Sequence, residues 1–150
     1  MKTAVARLLL TVRDLSSTGL RAVFLLGCCE EDVMGAENSR IILGDCLEVM
    51  RSMEDNSVDL VFCSPPYEAA RTYGIGFNLK EQEWVDWAME RYLECVRVSR
   101  GLVAWVVEGR TRQFKWSATP ALLMADLHRA GVKLRKPPVF QIFPCFVRRQ

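Results

Sequence analysis

Val58-Asp59-Leu60-Val61-Phe62-Cys63-Ser64-Pro65-Pro66-Tyr67 is the stretch on which the reading of this chain turns. Residues 58–63 are β-branched, aliphatic or aromatic apart from Asp59, the composition of a strand buried on both faces of a parallel sheet. Pro65 and Pro66 stop that strand, because each fixes φ and removes a backbone N–H. Asn56 and Ser57 make the turn that precedes it. Upstream, the short apolar run at residues 41–44 ends in Gly44, and Leu47, Met50 and Met53 follow at helical spacing, which predicts a strand and then a helix.

Downstream, a glycine-containing loop at residues 71–77 leads to Asn78, three residues before Glu81 and placed to cap a helix. Val85, Ala88, Tyr92 and Val96 mark one face of that helix to about Ser99, and Trp84 and Trp87 belong to it. Trp87 and Trp105 read as core. A second buried strand is expected at residues 102–107. After a polar loop, Thr119 caps a helix that begins with Pro120 and that Gly131 ends. Residues 132–134 and 139–143 complete the pattern as strands. The alternation predicts an α/β fold, a three-layer sandwich with a mostly parallel sheet and helices on both faces. Ligands of such sheets bind beyond the carboxyl ends of the strands, where residues 64–67, residues 108–112 and Asp45 fall.

The chain has 150 residues, half of them apolar, enough for one domain with a real core. Its 20 basic and 18 acidic residues leave a net charge of +2, which excludes a solvating acidic segment or a basic tail. The balance is uneven along the chain. From Arg110 onward, Arg110, Arg112, Lys115, Arg129, Lys133, Arg135, Lys136, Arg148 and Arg149 stand against one acid, Asp126, which suits an anionic partner. Lys133, Arg135 and Lys136 alternate before Pro137-Pro138 and extend that surface.

Six cysteines form no CxxC pair, and His128 is the only histidine, so no metal site is expected. Cys46, Cys63 and Cys95 sit among apolar neighbours and read as buried hydrophobes in a reducing, cytoplasmic compartment. No apolar run approaches the roughly 20 residues that span a bilayer. Residues 1–33 read as an appendage, with a short amphipathic helix at residues 2–12, and residues 34–150 as the domain proper.

The order Ser64-Pro65-Pro66-Tyr67 after a buried strand is expected by chance in fewer than about one chain in a hundred of this length. With the lead-in Gly44-Asp45-Cys46-Leu47-Glu48-Val49-Met50, it resembles the amino-group DNA methyltransferases, whose signature is Asp, Asn or Ser followed by Pro-Pro and an aromatic residue. The resemblance covers about residues 40–142. It is to the catalytic half of a permuted branch, in which the cofactor half comes later, and it makes the Rossmann-like methyltransferase fold incomplete. The Phe-x-Gly-x-Gly turn of that family is not found; the nearest look-alike, residues 23–29, lacks the following glycines and reads as core or appendage.

The resemblance implies methyl transfer from S-adenosylmethionine to the exocyclic amine of a flipped base in double-stranded DNA. Ser at the first motif position leans toward N4 of cytosine over N6 of adenine. The chemistry suits these residue types. An exocyclic amine is a poor nucleophile until acceptors draw on its hydrogens, and the Ser64 hydroxyl and the Pro65 carbonyl are those acceptors. Pro65 and Pro66 stiffen the loop, and Tyr67 offers a face on which a base stacks. Asp45 is either a contact to the adenosine half of the cofactor or the cap of the helix that follows it. Arg110, Arg112, Lys115 and Trp116 interleave cations with an aromatic residue for phosphate contact.

Two other readings compete. One is a truncated, non-catalytic DNA-binding fragment of such an enzyme. The other is cytosine C5 chemistry through Cys145, which lacks an accompanying acid. If the cofactor half is absent, the strand at Val58 lacks a neighbour, and a second chain or self-association at the exposed sheet edge is expected.

Overall fold

The computed structural model describes residues 7–15, 20–27, 39–68 and 77–135. Its elements in chain order are β1 (Arg7–Leu15), β2 (Leu20–Gly27), β3 (Ser39–Asp45), α1 (Cys46–Arg51), β4 (Val58–Ser64), α2 (Glu81–Val98), β5 (Ser99–Trp105), β6 (Thr111–Arg112), β7 (Lys115–Trp116) and α3 (Thr119–Arg129). Five strands form one sheet in the order β3-β1-β2-β4-β5, and β6 and β7 form a separate hairpin. β1 runs antiparallel to both of its neighbours, so β3 and β2 point the same way. β2, β4 and β5 are parallel. Four strands therefore share one direction, and their carboxyl ends lie along one edge.

Although, among the described residues, α1 and α2 pack on one face of β4 and not on both faces of the sheet, β4, α1 and α2 fall where expected along the chain. The N-terminal region does not. Where a short amphipathic helix is expected at residues 2–12, residues 7–15 form a strand whose apolar run pairs on both sides. Within the sheet β1 and β2 stand between β3 and β4. The strand at Val58 accordingly does not lack a neighbour: β2 pairs with one side of β4 and β5 with the other. Among the described residues, the strands at the two ends of the sheet are β3 and β5.

Local capping chemistry holds at the start of α1 and gives way to a tertiary contact at the starts of α2 and α3. Asp45 caps α1 by accepting the Leu47 N–H at 2.9 Å, with Glu48 in the first turn and Arg51 in the last, each suited to the helix dipole. Asn78 does not cap α2. Lys80 occupies that position and makes no side-chain capping bond, while the Glu81 N–H goes to the carboxylate of Glu68. Thr119 does not cap α3 either: it is the first helical residue, and its buried hydroxyl turns to Glu68. Gly131, at φ 81°, follows the end of α3 in the left-handed region that glycine tolerates. Residues 132–134 are irregular rather than a strand, and residues 139–143 lie outside the described residues.

The core has two linked parts. Cys46 and Met50 of α1, Val61 and Cys63 of β4, and Cys95 and Val98 of α2 form one buried cluster, which places both helices on the same face of β4. Phe77, Trp84, Val85 and Ala88 meet Leu123 and Leu127 of α3 in the second. Trp87 and Trp105 touch both clusters, in keeping with their reading as core. Burial pushes the thiols of Cys46 and Cys95 up to about 11 and about 12, and that of Cys63 well above its ordinary value, so all three are neutral packing groups at physiological pH.

Arg97 fastens the end of α2 to the turn before β4. It donates to the Met50 and Met53 carbonyls at 2.6 and 2.9 Å and pairs with Asp55 and Glu94. Asn56, at φ 55°, donates its N–H to the Arg97 carbonyl at 3.0 Å, as a turn residue tolerant of left-handed backbone. Between Val58 and Leu60 the register with β5 shifts by one residue, and there the backbone of Gly101 passes against Asp59. A Cβ on Gly101 would overlap the Asp59 carbonyl oxygen. Gly101→Ala is therefore expected to cost about 1–3 kcal/mol of stability, read as a lower urea midpoint with an unchanged slope.

Candidate active site and nucleic-acid interface

The carboxyl edge of the sheet gathers the motif. Leu26 is in register with Ser64, and Cys63 with Trp105, so Gly27, Ser64 and the chain after Trp105 leave the sheet together. Asp45 ends β3 at the same edge. Ser64 is the last residue of β4 and half-buried, and its Oγ lies 3.3 Å from the Tyr67 hydroxyl. A hydroxyl carries one donor hydrogen and two acceptor lone pairs, so Ser64 retains accepting capacity beside Tyr67.

Pro65 and Pro66 are buried. The Pro66 carbonyl accepts the indole Nε1–H of Trp84 at 2.8 Å, in the interior. A proline cannot enter the β ladder as a donor, and a buried carbonyl needs a partner, so this indole bond fixes the loop where the strand's own hydrogen bonding stops.

Glu68, directly after Tyr67, anchors the other end of the loop. Its buried carboxylate accepts the Glu81 N–H at 2.8 Å, the Ser117 hydroxyl, and the Thr119 hydroxyl at 3.3 Å. Burial pushes its pKa up, but these hydrogen bonds and the charge of Arg110 outweigh it and hold the carboxyl below its ordinary value. One side chain thus joins the motif loop to the first residues of α2 and α3.

For Asp45, the capping alternative is realised. Its carboxylate also accepts Arg91 Nη2 at 3.3 and 3.2 Å, and Arg91 is buried with its guanidinium 4.4 Å from the centre of the Trp87 ring. The Arg91 Nε and Trp87 Nε1 atoms are buried without a hydrogen-bond partner among the described residues. A carboxylate offers about four lone-pair positions, and the described residues use three of those on Asp45, which among them leaves one on Oδ2.

Residues 110–116, expected as a loop, form the β6–β7 hairpin. Thr111 pairs with Trp116 and Arg112 with Lys115. Gly109 lies under the Trp116 indole, where a Cβ would overlap the ring, and the Ser117 N–H closes the root on the Arg110 carbonyl at 2.7 Å. Arg110 and Lys115 are exposed and Trp116 is about half exposed, so the predicted phosphate contacts share one projecting hairpin; of Arg112 only the backbone is described. Lys133 and Arg135 are exposed, while Lys136, Arg148, Arg149 and Cys145 lie outside the described residues.

Sequence reasoning did not single out Glu68, Arg91 or Phe114, and it read Trp84 only as part of a helix. Adjacency to the motif was the one available signal for Glu68. Among the described residues no helix is long and apolar enough to cross a membrane, and no cluster of His, Cys, Asp and Glu is arranged to hold a metal ion.

Four curated DNA methyltransferases match the chain in sequence. It is 38% identical over 71 residues to the DNA adenine methyltransferase YhdJ of Escherichia coli K12, covering 47% of this chain and 24% of that protein. It is 42% identical over 50 residues to the type II methyltransferase M.PvuII of Proteus hauseri, covering 33% of this chain and 15% of that protein. With M.HpaI of Haemophilus parainfluenzae it shares 31% identity over 62 residues, 41% of this chain and 20% of that protein. These segments span a quarter or less of each relative's length. No family model and no solved structure matches the chain. The similarity links the chain to the DNA methyltransferases, consistent with the family that Ser64-Pro65-Pro66-Tyr67 resembles.

Two expectations test the loop anchors. Trp84→Phe keeps the ring packing but strands the Pro66 carbonyl, and should lower stability by about 1–3 kcal/mol in urea unfolding. Glu68 has a depressed pKa, so its stabilising contribution is complete above its ordinary value of 4.5 and is lost as pH falls through the lower folded value. The melting temperature of the parent chain should fall on acidification below about pH 4.5. That of Glu68→Gln should start lower at neutral pH and fall less steeply.

Proposed function

We propose that this chain is the base-accepting half of an S-adenosylmethionine-dependent DNA methyltransferase that modifies the exocyclic amine of a flipped base, N4 of cytosine before N6 of adenine. The observation that carries the reading is the Ser64-Pro65-Pro66-Tyr67 turn at the carboxyl edge of the sheet, with its Pro66 carbonyl held by Trp84. S-adenosylmethionine, when bound, supplies the electrophilic methyl group.

The residues of this chain do the rest. Ser64 Oγ and the Pro65 carbonyl accept the hydrogens of the target amine, which draws the nitrogen lone pair out of the ring toward tetrahedral geometry. Tyr67 stacks on the extruded base. The proton released on methylation passes to water or to Ser64. The remaining lone-pair position on Asp45 Oδ2 suits a hydroxyl of the adenosine half, and the donors already on Asp45 keep the carboxylate in place for it. Arg110, Arg112, Lys115 and Trp116 bear on DNA phosphates.

The reading extends to architecture. The chain corresponds to the catalytic half of the permuted branch, in which a three-layer Rossmann-like sandwich is completed by further chain or by a partner. The edge for that partner is β5, whose far side has no strand among the described residues. A second reading, a DNA-binding fragment without activity of its own, is favoured by the small share of each relative that the matched segments span.

The test is transfer of labelled methyl from S-adenosylmethionine to unmethylated double-stranded DNA, with Ser64→Ala in parallel and nucleoside analysis of the product. The proposal expects N4-methylcytosine, lost for the most part in Ser64→Ala. Transfer undiminished in the variant contradicts the role of Ser64, and DNA binding without transfer by the folded chain supports the fragment. Tyr67→Ala should weaken DNA binding by about 5- to 150-fold, from a stacking loss of about 1–3 kcal/mol.

A further inference from the structure

Gln113 and Phe114 fill both central positions of the two-residue β6–β7 turn, at φ 49° and 64°. A turn with both residues in the left-handed region favours Asn-Gly, and a bulky residue there is an outlier. Phe114 is also fully exposed, an apolar ring that nothing among the described residues covers. A turn that served only to reverse the chain gains nothing from either feature, and the pairing of backbone strain with an uncovered aromatic ring points to use of the ring itself.

The surroundings identify what the ring meets. Residues 108–118 carry three cations, Arg110, Arg112 and Lys115, against one acid, Glu108. Arg112 and Lys115 pair across the hairpin and flank the tip. The root of the hairpin is tied to the motif loop, because the Ser117 hydroxyl donates to Glu68, the residue next to Tyr67. Ser117 is three residue steps from Phe114, so the tip stands no more than about 11 Å along the chain from that anchor.

We propose that Phe114 is a wedge that enters the base stack of double-stranded DNA beside the nucleotide taken up at residues 64–67, while the cations at 110, 112 and 115 hold the flanking phosphates. The inference rests on the DNA reading above and adds a residue to it. A base drawn out of a duplex leaves an unstacked gap, and apolar side chains on DNA-binding proteins occupy such steps. A ring presented between cations matches a duplex, whose stacked interior is flanked by two lines of phosphate.

The experiment is fluorescence anisotropy of the full chain on a short labelled duplex and on the same duplex with one abasic site, over a range of salt. The parent chain is expected to bind the abasic duplex about tenfold more tightly, because the gap is already open. Phe114→Ala should lose that preference while keeping the salt dependence of the parent, and Phe114→Trp should retain it. Lys115→Ala should weaken both duplexes alike and lower the salt slope by about one. Phe114 is fully exposed, so its variants are expected to fold, and circular dichroism of each variant checks this. A preference that survives in Phe114→Ala, its absence in the parent chain, or failure of the folded chain to bind either duplex overturns the wedge. Loss of methyl transfer together with an intact, Phe114-dependent preference defeats the catalytic reading and leaves the wedge standing.

Discussion

The hydrogen bond from the Trp84 indole to the Pro66 carbonyl is the contact on which the arrangement at the sheet edge depends. Two consecutive prolines end β4 abruptly, and they leave buried carbonyls with no following strand residue to satisfy them. Trp84 supplies a donor from the first turn of α2 while its ring packs in the second core cluster. The same side chain thus fixes where α2 sits and how the motif loop leaves the sheet. Under the proposed function this rigidity matters, because displacements of an ångström at a reacting site are enough to lose rate.

Glu68 extends the constraint to the rest of the edge. Its carboxylate takes donors from the start of α2 and from Ser117 and Thr119 at the start of α3. A buried carboxylate is tolerated when its lone pairs are filled by donors, and here the donors come from elements distant in sequence. The motif loop, the hairpin root and two helix ends consequently share one fixed point. Arg91 plays a comparable part on the other side of α2, joining Asp45 to the Trp87 carbonyl and ring. Removal of either charge from that buried pair leaves the other without compensation.

Much of this was legible in the sequence, and the reasons for the rest are physical. β4, α1 and α2 carry strong periodic signals and sharp breakers, so their places followed from pattern. The motif residues were legible because their order is rare. The strand at residues 7–15 was not, since a short apolar run between Arg7 and Arg13 suits a helix or a strand, and only pairing with β2 and β3 decides between them. The caps at Asn78 and Thr119 failed for a related reason: a tertiary carboxylate, Glu68, took the roles that local capping rules assign to neighbours. The hairpin at 110–116 carries Gln and Phe where turn rules look for Asn and Gly, which hid it. Of the two readings of Asp45 the structure shows the cap, whereas its buried partner Arg91 lies 46 residues away and leaves no local trace in the sequence.

The Pro-Pro turn is held rigid from α2 and through Glu68. Hydrogen exchange at the Trp84 indole N–H, followed by NMR in the full chain and in Glu68→Ala, tests this directly. The account predicts strong protection in the parent chain, at an opening free energy close to that of global unfolding, and a large loss of protection in the variant while the amides of β4 stay protected. An indole that exchanges as fast as an exposed tryptophan in the folded parent chain would contradict it.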